Sequence, residues 1–198
     1  MLSPKVRYVR GGPIQLETSR FRLRSLRASD ASERWQRWLK DPEVLRPINA
    51  AVRNVTLHDL ANYAAEFDNE TRFLVGIFVK PSDLHIGYFL IEIDRPNQVA
   101  MFNVAIGDKT WWGKGVVNEA RAALIDHCFN RLGVAKLCGA PLSRNFPAIF
   151  NYKAQGWIYE GTLKFQYRSV LDGSRLDQLR FRLTPEEWRR VRDQGRVR

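Results

Sequence analysis

Val99-Ala100-Met101-Phe102-Asn103-Val104-Ala105-Ile106, then Trp111-Trp112-Gly113-Lys114-Gly115, then Val116 to Leu132, is the stretch on which the reading of this chain turns. The first block is an apolar run of strand length that stops at Gly107-Asp108. The second is a glycine-containing turn. The third carries Val117, Ala120, Leu124 and Cys128 at helical spacing, with Gly133 beyond them as a C-cap. It predicts a long helix with those four residues inward. A turn that opens a helix presents backbone N–H groups with no intrahelical partner. Together with the positive end of the helix dipole they form an anion site, and glycine lets a phosphate come close. The spacing is neither G-x-x-x-x-G-K-[ST] nor G-x-G-x-x-G.

Upstream, Phe73–Val79, Ile86–Ile93 and Val99–Ile106 read as three strands. Short turns at Lys80-Pro81-Ser82-Asp83 and Asp94-Arg95-Pro96-Asn97 predict an antiparallel meander, which argues against a parallel dinucleotide-binding unit. Phe21–Leu26 alternates apolar and polar residues, the pattern of a half-buried strand. Ser29 or Asp30 is expected to cap a helix carrying Trp35, Trp38 and Leu39, ended by Asp41-Pro42. Thr56 with Asp59 predicts another, with Leu57, Leu60, Tyr63 or Ala64, and Phe67 inward. Downstream come a strand over Val134–Leu142 and a short helix from Asn145 to Gln155, closed by Gly156. Strands over Trp157–Val170 and Arg175–Leu183 flank the turn Leu171-Asp172-Gly173-Ser174. Thr184-Pro185-Glu186-Glu187 is a capping box that opens a last helix. No repeat or linker divides this pattern. It predicts one α/β domain over residues 14–191, with a basic arm at 1–13 and a basic tail at 192–198.

The chain has 198 residues and a net charge of +11. Residues 1–27 hold seven basic residues against Glu17, and residues 189–198 hold five arginines against Asp193. The ends thus carry all but one unit of the charge, and a nucleic-acid surface within the fold is not expected. Cys128 and Cys138 lie ten apart without ligand spacing, so no metal site is expected and both should be reduced, partly buried thiols. With no apolar run of spanning length and no apolar segment near Met1, neither a membrane nor an export route is expected, and the cytoplasm is the expected compartment.

The order of meander, glycine turn, helix, strand, helix closed by Gly156-Trp157, and hairpin resembles the GNAT superfamily of acyl-CoA-dependent N-acetyltransferases. Within it, the chain is most similar to the branch of ribosomal-protein N-terminal and spermidine acetyltransferases, over about residues 16–190. The resemblance implies a mixed, mostly antiparallel sheet splayed in the middle and flanked by helices. It implies acetyl-CoA as acyl donor and an amine acceptor (protein N-terminus, polyamine or amino sugar). It leaves a homodimer open.

Residue by residue, the family's CoA loop Q/R-x-x-G-x-G/A matches Trp112-Gly113-Lys114-Gly115-Val116-Val117, followed by Asn118-Glu119-Ala120. Trp112 and Val117 depart from the usual residues. The family's Asn ahead of the next helix matches Asn145, which implies contact with the CoA arm. Its Tyr matches Tyr152, implied as proton donor to the leaving thiolate. The implied oxyanion donor is a backbone N–H in Asn103–Ile106, at Val104 or Ala105. Met101 stands where relatives often carry a Glu base. Candidate substitutes are Glu92, Asp94, Asn103 through water, and His85. Surface or helix-face roles are the ordinary expectation for His58, His85 and His127. Trp35 and Trp38 fit an acceptor wall or core packing equally. Trp111 and Trp112 fit a cover over CoA, a core contact or a dimer contact. The departures at Met101, Trp112 and Val117 keep a rival open, a GNAT-like module that binds acyl-CoA, protein or RNA without turnover.

Overall fold

Phe21, Leu23 and Ser25 turn inward along β2 (Phe21–Ser25) while Arg22 and Arg24 stay half-buried, as the alternation predicts. The computed structural model describes residues 11–195. Most of the expected arm and the last three residues of the expected tail lie outside that range. In chain order the elements are β1 (Gln15–Glu17), β2, α1 (Glu33–Trp38), α2 (Pro42–Leu45), α3 (Leu57–Ala65), β3 (Arg72–Val79), β4 (Leu84–Asp94) and β5 (Val99–Ile106). There follow α4 (Val116–Asn130), β6 (Lys136–Gly139), α5 (Phe146–Ala154), β7 (Ile158–Arg168), β8 (Arg175–Leu183) and α6 (Pro185–Asp193). Arg192 and Asp193, expected in the tail, are therefore helical.

Among the described residues, eight strands form one sheet in the order β1-β2-β3-β4-β5-β6-β8-β7. Every junction is antiparallel except β5–β6, which is parallel. That junction is short: pairing runs from Val99↔Lys136 to Phe102↔Gly139 and stops, while β5 continues along β4 to Gly87↔Ile106. The sheet is mixed, mostly antiparallel and split in the middle.

Two apolar layers flank it. Val116, Ala120, Leu124, Ile125 and Cys128 of α4 pack with Trp188 and Val191 of α6 on one face, against Phe89, Ile91, Ala100 and Phe102. On the other, Trp35, Trp38, Val44, Leu60, Ala64 and Phe67 pack on Leu74 and Phe78. Gly107 admits the second layer: a Cβ there would sit 1.9 Å from Trp38 Cδ2. No helix among the described residues is long and apolar enough to cross a membrane.

Both predicted capping boxes form, Thr56 with Asp59 and Thr184 with Glu187. The cap of α1 is a correction. Ser32, not Ser29 or Asp30, accepts the N–H of Trp35. Asp30 is taken instead by the guanidinium of Arg24, at 2.8 and 2.7 Å, and by the N–H of Arg27. β6 is also shorter than Val134–Leu142. The Val134 N–H bonds back to Cys128 O at the end of α4, and past Gly139 no β5 partner remains. β1 is three residues long, too short for its period to show in sequence.

Candidate active site

Gly113 and Gly115 both sit at φ +71°, in the left-handed region that costs other residues about 1–2 kcal/mol. A Cβ at Gly113 would meet nothing within 4 Å, so conformation and not space requires glycine there. Gly115 is the N-cap of α4 and supplies no side-chain cap. Among the described residues the backbone N–H groups of Gly113 to Asn118 have no protein acceptor. They gather at the positive end of a 15-residue helix.

The turn is pinned from below. Glu119, in the first turn of α4, accepts from Thr18 Oγ1 at 2.7 Å, from the Arg20 N–H at 2.9 Å and from Arg20 Nε at 2.7 Å. Arg20 Nη2 also donates to Lys114 O at 3.0 Å. Burial alone would raise the Glu119 pKa, but the hydrogen bonds from Thr18 and Arg20 hold it below the usual carboxylate range. Trp112, at the position where the family prefers Gln or Arg, donates its Nε1–H to Ile106 O at 2.8 Å and ties the turn to the end of β5. Trp111 packs edge-on against Phe21 at 5.7 Å and carries Lys114 Nζ over its ring at 5.4 Å. Val116 is buried and Val117 half-buried beneath the turn, in the α4 layer.

Beyond Phe102 the free edge of β5 faces the split. Backbone groups alternate sides along a strand. The Gly107 N–H turns to β4, bonding Ile86 O, while the Phe102 and Ile106 carbonyls accept from Tyr152 and Trp112 on the other side. Val104, between them, directs its N–H into the split; Asn103 and Ala105 direct theirs to β4. Of the two expected donors, the geometry thus presents Val104.

Tyr152 closes the apex. Its hydroxyl donates to Phe102 O at 3.3 Å, at the last residue of β5 that pairs with β6. Its ring stacks on Phe181 at 5.2 Å and 10°, with Trp157 edge-on at 4.9 Å. Gly139 makes the room, since a Cβ there would lie 2.3 Å from Tyr152 Cε1. Burial pushes the phenol pKa up while the neighbouring Arg121 pulls it down, and the group stays protonated at neutral pH. Asn145 caps α5, accepting from the Ala148 N–H at 3.2 Å, and donates Nδ2–H to Pro47 O at 3.1 Å.

The base candidates separate. Register pairs Glu92 with Met101, Leu90 with Asn103 and Tyr88 with Ala105, so these side chains share the face covered by α1 and α3. Glu92 is half-exposed, with Arg72 Nε 3.9 Å away. Asp94 is a turn residue: it accepts from Asn97 Nδ2 at 2.8 Å and from the Asn97 N–H at 3.2 Å, and these bonds hold its pKa down. The surface or helix-face role expected for His85 is a correction. β4 begins two residues earlier than expected and carries His85 into the aromatic layer. There it stacks on Phe78 at 4.8 Å and meets Trp38 at 4.9 Å. Burial pushes its pKa down to about 4, too low for a base poised near neutrality. Trp35 and Trp38 are buried and belong to the core.

The sequence reading missed Arg121. It sits four residues after Val117, three before Leu124 and seven before Cys128, on the same helical stripe, yet it is only 1% exposed. That spacing was the available signal. It also missed Gln155, buried at the end of α5, which joins Arg121 to the Asn118 carbonyl.

Residues 20–156 match the acetyltransferase (GNAT) domain family. The chain is 28% identical over 179 residues to an uncharacterized N-acetyltransferase, p20, of Bacillus licheniformis, covering 87% of this chain and 97% of that one. The ribosomal-protein-S5-alanine acetyltransferase of Vibrio fischeri superposes with a TM-score of 0.77 at 19% identity, covering 88% of this chain and 98% of that one. The spermidine N-acetyltransferase of Vibrio cholerae, solved with CoA and spermine, gives 0.75 at 18% identity, over 86% and 98%. The split sheet with a glycine turn above it defines an acyltransferase fold. The chain belongs to the GNAT acetyltransferase family, and the rival reading of a module without turnover gives way to it.

Proposed function

We propose that this acyltransferase moves an acetyl group from acetyl-CoA directly to a primary amine within a ternary complex. The observation that carries the reading is the split between β5 and β6, with the Tyr152 hydroxyl hydrogen-bonded at its apex. The amides of Gly113 to Asn118 take the CoA pyrophosphate, with Trp112 beside them, and Asn145, at the start of the helix that bears Tyr152, meets the CoA arm. The thioester lies in the split with its carbonyl oxygen toward the Val104 N–H. A fixed donor of this kind contributes roughly 3 kcal/mol to the transition state.

The amine approaches from the face of Glu92, Met101 and Asn103. Alkyl amines are mostly protonated at pH 7 and need a proton acceptor. Glu92 lies directly across the strand pair from Met101, so the carboxylate is displaced by one strand, and Asn103 orders a water between it and the amine. The nitrogen attacks, the C–S bond breaks, and Tyr152 gives its proton to the departing sulfur. Direct transfer is supported by the thiols: Cys128 is fully buried and burial pushes its pKa up to about 12, and burial also raises that of Cys138.

The test is thiol release from acetyl-CoA in the presence of spermidine, glucosamine or a peptide that begins with Ala. An amine-dependent rate supports the reading. CoA binding at micromolar affinity with no amine-dependent release would overturn it.

A further inference from the structure

Arg121 is a buried cation whose hydrogen-bond partners are all neutral. Its Nε donates to Gln155 Oε1 at 2.6 Å, and its Nη2 to Asn151 O at 2.9 Å and Asn118 Oδ1 at 3.3 Å. Among the described residues no carboxylate pairs with it. Burying a charge without a counter-ion is costly. A leucine or glutamine at this stripe position would avoid that cost. What the cation gains is location. Its guanidinium carbon stands 4.3 Å from the centroid of the Tyr152 ring and 5.3 Å from that of Trp157. Asn151 O belongs to the last turn of α5, the negative end of that helix. Gln155, bonded to the same guanidinium, also donates to Asn118 O at 2.8 Å, at the start of α4.

We propose that Arg121 is a positioning residue for acetyl transfer that acts through Tyr152. It fixes the phenol at the apex of the split and favours the phenolate that proton donation leaves behind. The inference rests on the reading of Tyr152 as proton donor. As the C–N bond forms and the C–S bond breaks, the phenol proton passes to sulfur and a phenolate remains beside the guanidinium. The proton lost by the attacking amine, by way of Glu92 and water, restores the phenol. Arg121 stays cationic throughout: burial pushes its pKa down only to about 10.

The test is a double-mutant cycle in the full chain, with Arg121→Met, Tyr152→Phe and their combination. Acetyl-CoA is the donor, and the acceptor is whichever of spermidine, glucosamine and the Ala-initiated peptide is used fastest. Each single change should lower kcat about tenfold or more, with KM for acetyl-CoA shifted less than about threefold. The double variant should fall no further than the weaker single variant, since both changes remove one unit. Arg121→Lys, which keeps the charge and loses the fork, should retain more activity than Arg121→Met. Losses that multiply in the double variant, or Arg121→Lys no better than Arg121→Met, overturn the inference. If Arg121→Met fails to fold by thermal melting, Arg121→Lys replaces it in the cycle. A loss seen only when Tyr152 is present then supports the inference, and an equal loss in both backgrounds overturns it. Wild-type kcat in Tyr152→Phe instead removes the proton-donor reading itself, and the role of Arg121 with it.

Discussion

On the α4 side of the sheet the proposed donor site rests mainly on backbone groups, the amides of Gly113 to Asn118 and the Val104 N–H, with one side chain, the Tyr152 phenol, held against the Phe102 carbonyl. On the α1–α3 side the proposed acceptor site rests on side chains, Glu92, Met101 and Asn103, brought together by cross-strand register. A backbone site needs only a few glycines and a helix start, features that a short window of sequence carries. A site of side chains can change its residues while the sheet is kept. Met101, where the resemblance implies a Glu, lies on that side-chain face, directly across from Glu92.

The contrast between the two sides depends most on Gly139, which makes room for the Tyr152 ring. Gly139→Ala drives a methyl into Tyr152 and should lower kcat about 100-fold, the scale of losing a proton donor. It should also lower thermal stability by about 1–3 kcal/mol. Wild-type kcat in Gly139→Ala would detach the phenol from the chemistry.

Next comes His85, a test of the second layer alone. Its folded pKa, about 4, lies below the ordinary value of 6.5. The unfolded chain therefore binds the proton first, and stability declines as pH falls from about 6.5 toward 4, by roughly 3 kcal/mol at most. His85→Phe should flatten that part of the denaturation profile; an unchanged slope would show that the residue is solvated.

Gly115→Ala places a side chain at φ +71°. It should raise KM for acetyl-CoA about tenfold and leave kcat within about twofold, because it disturbs binding and not the reacting atoms. A fall in kcat with KM unchanged would contradict the phosphate role of the turn. The smallest contrast lies on the acceptor side. Glu92→Gln should lower kcat about tenfold near pH 7, while Asp94→Asn, a turn residue, should change it less than about twofold. Reversed effects would exchange the two carboxylates.

The donor half was legible because its signals are local. Gly115 with the apolar stripe of α4 set the turn and the helix, and the two capping boxes formed where Thr56–Asp59 and Thr184–Glu187 predicted them. What the sequence concealed was decided by partners on other elements or by what the stripe was assumed to hold. Asp30 lost its capping role to Arg24 on β2, six residues earlier. β6 ended where β5 left it. Arg121 was on the inward stripe, but a charged residue there reads as solvent-facing until Gln155, Asn151 and the Tyr152 ring are seen to surround it.

The structure of the protein crystallised with CoA bears most directly on the split as the acyl site. The CoA sulfur is expected between β5 and β6, within hydrogen-bond reach of Tyr152 Oη, and the pyrophosphate on the amides of Gly113 to Asn118. CoA bound with its sulfur outside the split, and the Tyr152 hydroxyl still on the Phe102 carbonyl, would contradict it.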